Sequence, residues 1–186
     1  LPKDAPKRIR AKELGEESRN YFGGLALAEP GKREIAICGT HGKSTTTAMV
    51  AKLLIDAGKD PRVIVGTKSP DLDGRNWREG SGDFVVEACE YKRDFFHLSP
   101  TIVLMTNVDG DHFDAYGSLH EYQQAFVEFL QKVPKQGGMV IAHLTDPQSK
   151  DVVKKAGREY IDADTVPLPA LSVPGKHMQS NAQLVL

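Results

Sequence analysis

The chain has 186 residues, enough for one ordinary domain with its own core. Its 24 basic and 25 acidic side chains nearly cancel, which argues against a dedicated nucleic-acid binder, since such a chain carries a basic surplus. No run approaches the roughly 20 apolar residues of a membrane-spanning helix, so a membrane protein is excluded at this stage. Two cysteines, Cys38 and Cys89, are too few for a disulfide scaffold and fit a reducing, cytoplasmic setting. The opening LPKDAPKRIRAK is charged and proline-rich, unlike a signal peptide. The chain starts on Leu1 and ends on the apolar NAQLVL, and it reads as a piece of something larger.

The first 33 residues look peripheral, with a helix expected over 11–21 and a loop over 28–33. EIAIC at 34–38 then reads as a buried strand. A helix is predicted over 45–57, where Met49 with Leu53, and Val50 with Leu54 and Ala57, recur at helical spacing, and Gly58 is a natural stop. RVIV at 62–65 is a second strand, and the Gly-, Asp- and Ser-rich stretch 66–83 is predicted as a loop. DFVVE at 83–87 and TIVLMT at 101–106 are the third and fourth strands. Ser118 and Glu121 form a capping box for a long helix whose apolar face carries Leu119, Tyr122, Phe126, Phe129 and Leu130; Pro134 and Gly137-Gly138 end it. MVIA at 139–142 is the next strand, and Asp146-Pro147 caps a helix running to about Gly157. Residues 160–173 are short and proline-punctuated, read as strands or connections of low regularity, and Pro174-Gly175 opens a last helix expected to run off the C-terminus. Nearly continuous apolar strands alternating with helices predict an α/β domain: a mainly parallel sheet with helices on both faces.

The chemistry concentrates between the first strand and its helix. GTHGKST, residues 39–45, stands where a phosphate-binding P-loop must stand. Glycines let the backbone close on phosphates, and amides at the new helix's N-terminus point at the anion. Lys43 would reach the outer phosphates and the Ser44 hydroxyl would bind Mg²⁺. The usual eight-residue pattern would need glycine at Ile37, so only the shorter G-x-x-G-K-S is present. Glu87 closes the third strand and His112 follows the fourth, on the sheet edge where ligands of parallel sheets bind. An acid beside the nucleotide's cation is a chemical need, and Glu90, Asp109, Asp111 and Asp114 are alternatives to Glu87 on this argument alone.

Three blocks together resemble the central, ATP-binding domain of the Mur ligase family. They are GTHGKSTTTAM (39–49), EACEYKRDFFHLSPTIVLMTNVDGDHFDAY (87–116) and PGKHMQSNAQLVL (174–186). The histidine inside the loop is similar to that of the muramate-accepting branch. The resemblance covers 34–186 and implies a P-loop-containing α/β fold, ATP and Mg²⁺. It also implies roles. Gly39, Thr40, His41, Gly42, Lys43, Ser44 and Thr45 would hold the phosphates. Ser44 and Glu87 would share one metal, and His112 would hold a second. His177 and Asn181, one helical turn apart, would meet adenine, and Lys43, Glu87 and His112 would be the catalytic set.

The implied reaction is ATP-dependent amide formation in peptidoglycan precursor synthesis. The carboxylate of UDP-N-acetylmuramate becomes an acyl phosphate, and the amine of L-alanine, or of a peptide, displaces phosphate. Many Mur ligases carry a modified lysine about fifteen residues past the histidine. Here that neighbourhood reads Gln124-Ala125-Phe126-Val127, with Phe126 expected in the core, and the muramate–alanine branch also lacks the lysine. The flanking uridine-nucleotide and C-terminal domains of whole family members do not fit into 186 residues, so the isolated piece is expected not to ligate. Relatives also carry more strand where this chain has 157–174, which leaves the antiparallel part of the sheet open. Two other readings stand beside this one: a P-loop small-molecule kinase, and a nucleotide-binding module without catalysis. Lys43→Ala is expected to remove nucleotide binding and leave the fold intact.

Overall fold

The computed structural model describes residues 31–110, 115–171 and 175–186. The helix expected over 11–21, most of the loop expected over 28–33, and His112, Asp111, Asp114 and Pro174 lie outside them. Among the described residues, seven strands form one sheet in the order β3-β2-β4-β1-β5-β6-β7. They are β1 (Glu34–Cys38), β2 (Arg62–Ser69), β3 (Arg75–Arg78), β4 (Phe84–Glu87), β5 (Ile102–Met105), β6 (Met139–Ala142) and β7 (Tyr160–Asp162). All neighbours pair in parallel except β2 and β3. The helices are α1 (Lys43–Asp56), α2 (Leu119–Leu130), α3 (Pro147–Ala156) and α4 (Lys176–Gln183).

The unbroken apolar runs follow from burial on both faces. Ala36, Cys38, Phe84, Val86, Val103, Met105, Val140 and Ala142 share a core with residues of α2 and α3. Their alternates Ile35, Ile37, Val85 and Leu104 pack with Val50 and Ala51 of α1 and Leu184 just past α4. This is the period of two expected when side chains point to opposite faces. α2 is seated by an aromatic cluster: Phe95 stacks on Phe129 at 4.4 Å and meets Phe126 edge-on at 5.5 Å. Phe126 is fully buried, as expected.

Local signals explain the helix ends. Ser118 accepts from the Glu121 amide at 3.2 Å, while the Glu121 carboxylate reaches back to the amide of Gly117 rather than Ser118. Asp146 accepts from the Ser149 amide at 2.9 Å, with Pro147 opening α3 and left-handed Gly157 closing it. Beyond α1, left-handed Gly58 donates to the Ile55 carbonyl and Lys59 to the Leu54 carbonyl, a Schellman closure.

Two expectations need correction. The stretch 66–83 is not wholly loop: β2 continues to Ser69, and β3 returns antiparallel to it after a short 3-10 turn. That hairpin supplies the antiparallel edge. Trp77 on β3 is half exposed, with the Arg75 guanidinium 5.4 Å from its ring centre. The last helix does not run off the chain end; it closes at Gln183, with the amides of Val185 and Leu186 turned back to the Ala182 carbonyl.

Glu34, at the sheet end far from the loop after β1, is buried and accepts the Ser99 amide at 3.0 Å. Burial pushes its carboxyl up to about 7 from the ordinary 4.5, against the opposing pull of that amide and of Lys132. Between those values the folded chain holds a proton that the unfolded chain has lost, so stability falls as pH rises through that window. Glu34→Gln keeps the acceptor and removes the charge. In thermal unfolding it is expected to match the parent at pH 4 and to exceed it by about 1–3 kcal/mol at pH 8. Equal stabilities at pH 8 would show that the buried carboxylate carries no penalty.

Candidate functional site

The register of the sheet sets the site. β1 lies between β4 and β5, with Ile37 opposite Glu87 and Cys38 opposite Met105. The chain leaves β1 for α1 at this switch point, where crossovers go to either side and a crevice opens. Residues 39–42 make the turn. Gly39 has φ +127° and a Cβ there would lie 2.1 Å from Thr106 Oγ1, so only glycine lets the loop lie this close to the end of β5. Gly42 caps α1 in the left-handed region, and a Cβ there would meet the Asn181 side chain at 2.8 Å.

The loop is tied to the β5 end by a dense set of bonds. Thr40 donates its amide to the Asn107 carbonyl at 3.0 Å, and His41 donates its amide to Asn107 Oδ1 at 3.0 Å. Asn107 Nδ2 returns a bond to the His41 carbonyl at 3.1 Å. The Thr40 hydroxyl meets the Asp109 backbone and the Tyr122 hydroxyl. Thr40 and His41 are thus committed to bracing the loop, and the donors at its mouth are the first-turn amides of α1, which have no acceptor within the helix. With the helix's positive end, these make an anion seat.

Thr40, His41, Gly42, Lys43, Ser44, Thr45 and Glu87 line one cavity of about 310 Å³. The structure therefore brings Ser44 and Glu87 to the same opening. Glu87 is half-buried and accepts the Gly66 amide at 2.6 Å; a Cβ on Gly66 would strike the carboxylate. Two protein oxygens beside an anion seat suit Mg²⁺, a cation that keeps several waters or anionic oxygens as its other ligands. Among the described residues no group of three or more His, Cys, Asp or Glu side chains gathers into a metal cage.

Asn181 reaches the loop through its contact with Gly42, while His177, one turn earlier on α4, is exposed beside Gly175. What holds α4 there is a contact with no local signal in the sequence. His143, just after β6, is buried; Nδ1 lies 2.7 Å from Asp164 Oδ1, and Nε2 lies 2.9 Å from both the carbonyl and the hydroxyl of Ser180. Burial would raise the Asp164 carboxyl, but the Thr145 amide and His143 outweigh it and hold it below the ordinary range. Both cysteines sit where burial pushes the thiol up, which disfavours the thiolate form.

On the strand-tip argument alone, Glu90 is interchangeable with Glu87. Glu90 is instead fully buried, and it pairs with Lys43: Nζ is 3.0 Å from Oε1 and 2.9 Å from Oε2. Lys43 Nζ also donates to the carbonyls of Gly39 at 2.7 Å and Thr40 at 3.0 Å.

Comparison with known proteins agrees with this geometry. The Mur ligase middle domain profile matches residues 37–168. The chain is 42% identical over 144 residues to UDP-N-acetylmuramate--L-alanine ligase of Desulfitobacterium hafniense, covering 77% of this chain and 32% of that protein. It is 39% identical over 162 residues to the enzyme of the same name from Persephonella marina, covering 87% of this chain and 35% of that protein. The crystal structure of UDP-N-acetylmuramate-alanine ligase from Thermotoga maritima superposes over the whole chain with a TM-score of 0.77 at 30% identity, and the match covers 48% of that structure. This chain spans about a third of the length of these curated relatives. No helix among the described residues is long and apolar enough to cross a membrane. A parallel sheet that switches at β1, a glycine loop bracing a lysine, and a profile match running from Ile37 to Leu168 together place the chain in the Mur ligase family, as its middle domain.

Proposed function

We propose that residues 34–186 are the ATP-binding central domain of a cytoplasmic ligase that joins L-alanine to UDP-N-acetylmuramate through an acyl phosphate, with residues 1–33 a peripheral linker. The observation that carries this reading is the shared cavity: Lys43, Ser44 and Glu87 line one opening at the positive end of α1. Flanking domains of the parent would bring the sugar nucleotide and the amine.

The residues present fit the groups this requires. Gly39 and Gly42 let the loop lie against the β5 end and Asn181, where a Cβ would clash, and the first-turn amides of α1 would hold phosphate oxygens. Lys43 would add a positive charge, and Ser44 and Glu87 would supply oxygen ligands to Mg²⁺. Asn181, seated against Gly42, and His177 would meet adenine. His112 would serve a second cation. When bound, ATP supplies the phosphoryl group, and the cations screen its charge from an incoming carboxylate. The chain's own part is positioning: it fixes phosphates at the helix end while the acid of a neighbouring strand tip waits beside them.

The test is phosphate release by the intact parent enzyme. Release is expected to require Mg²⁺, ATP, UDP-N-acetylmuramate and L-alanine together. Glu87→Gln keeps the acceptor for Gly66 and is expected to lower the rate about 100-fold with little change in melting temperature. Turnover on a hydroxyl acceptor without amide product would point to a kinase instead, and tight ATP binding without turnover to a non-catalytic module.

A further inference from the structure

Glu90 has no part in the phosphate seat just described, yet it is the most deeply buried acid tied to it, with its side chain wholly shielded from solvent. Carboxylates are almost never buried so fully unless paired. Its place is fixed from several sides. The Tyr116 hydroxyl and the Arg93 amide both donate to its carbonyl, and the Tyr122 hydroxyl donates to Oε1 at 3.4 Å. Lys92 and Arg93 take left-handed backbone angles, unusual for such side chains, as the chain turns around it. Its cationic partner in the loop is Lys43. An ammonium has three N–H donors, and here they face the carbonyls of Gly39 and Thr40 and the Glu90 carboxylate.

A phosphate can therefore gain the Lys43 ammonium only if one of these acceptors gives it up. Glu90 is the charged one. We propose that Glu90 is an internal counter-anion that competes with phosphate for Lys43 and so sets how tightly the loop holds a nucleotide. It is a positioning residue, acting through Lys43, and the proposal rests on reading the loop as a triphosphate site. When Nζ turns toward phosphate, the buried carboxylate gives up its contact with the Lys43 ammonium, and the nucleotide's affinity carries that penalty. A glutamine of the same shape would keep an acceptor for Tyr122 and Lys43 but carry no charge to strand.

The experiment is calorimetric titration of the intact parent chain and its Glu90→Gln variant with ATP, inorganic tripolyphosphate and adenosine. The variant is expected to bind ATP and tripolyphosphate about tenfold more tightly, by the same factor for both, and adenosine unchanged. A folded variant with unchanged or weaker tripolyphosphate binding overturns the proposal. An unaltered chain that binds neither ATP nor tripolyphosphate removes the triphosphate reading itself, a separate failure. Should the variant not fold, a crystal structure of the unaltered chain with ADP decides. Lys43 Nζ is expected more than about 4 Å from both Glu90 oxygens, the limit of an ion pair. A lysine still bridging Glu90 and phosphate overturns the competition.

Discussion

Lys43→Ala is expected to abolish nucleotide binding and to destabilise the fold by about 3–5 kcal/mol. The sequence alone predicts the first effect and an intact fold. The pair with Glu90 changes the second expectation. Lys43 retains only 13% side-chain exposure and Glu90 none, so removing the ammonium leaves a carboxylate buried without it. It also frees the carbonyls of Gly39 and Thr40, which Nζ holds at the turn. Attraction between two buried charges is offset by the desolvation of both, so the pair itself contributes little. The damage comes from leaving one member behind.

A double-mutant cycle separates these effects. Lys43→Met with Glu90→Gln removes both charges and keeps both volumes close, and it is expected to cost only about 1 kcal/mol relative to the parent. Urea unfolding of the four proteins reads the coupling. Nucleotide binding should be lost in both chains lacking Lys43, whatever their stability. If Lys43→Met alone unfolds at the parent's midpoint, removing the ammonium from Glu90 carries no cost. If it unfolds early but the double variant does too, the loop carbonyls rather than Glu90 dominate.

These two residues also mark where the sequence could and could not be read. The loop, its strand and its helix were legible because their signal is local: an apolar run, glycines, a lysine, then helical spacing within 25 residues. Glu87 and Ser44 followed, because a parallel sheet brings strand tips to one edge whatever the loops do. Glu90 could not be singled out. Its burial depends on Tyr116 and Tyr122, 26 and 32 residues away, and on α2 packing through Phe126 and Phe129. The same holds for His143, whose partners Asp164 and Ser180 lie 21 and 37 residues downstream. The edge strand β3 escaped for a different reason. RNWR pairs on one side only, carries no apolar alternation and leaves Trp77 half exposed, so its composition resembles a loop.

Glycine conformations offer the second large effect, because two left-handed or positive-φ positions in this chain differ in what surrounds them. Gly58, after α1, has φ +68° and nothing within 4 Å of a Cβ. Gly58→Ala meets only the left-handed backbone penalty, about 1 kcal/mol, and should leave nucleotide binding untouched. Gly39 has φ +127° and a Cβ would face Thr106 Oγ1 at 2.1 Å and the Asn107 carbonyl oxygen and amide nitrogen at 2.9 and 3.0 Å. A threonine hydroxyl can rotate away; the Asn107 backbone cannot, because it holds the Thr40 amide. Gly39→Ala must therefore push the loop off β5. It is expected to cost about 2–4 kcal/mol and to eliminate nucleotide binding, since the Asn107 bonds that brace Thr40 and His41 would break with it. Adding Thr106→Ala to Gly39→Ala should recover about 1 kcal/mol, the side-chain share of the clash, without restoring binding. Equal losses for Gly39→Ala and Gly58→Ala would mean that close approach to β5 is not what demands glycine in the loop.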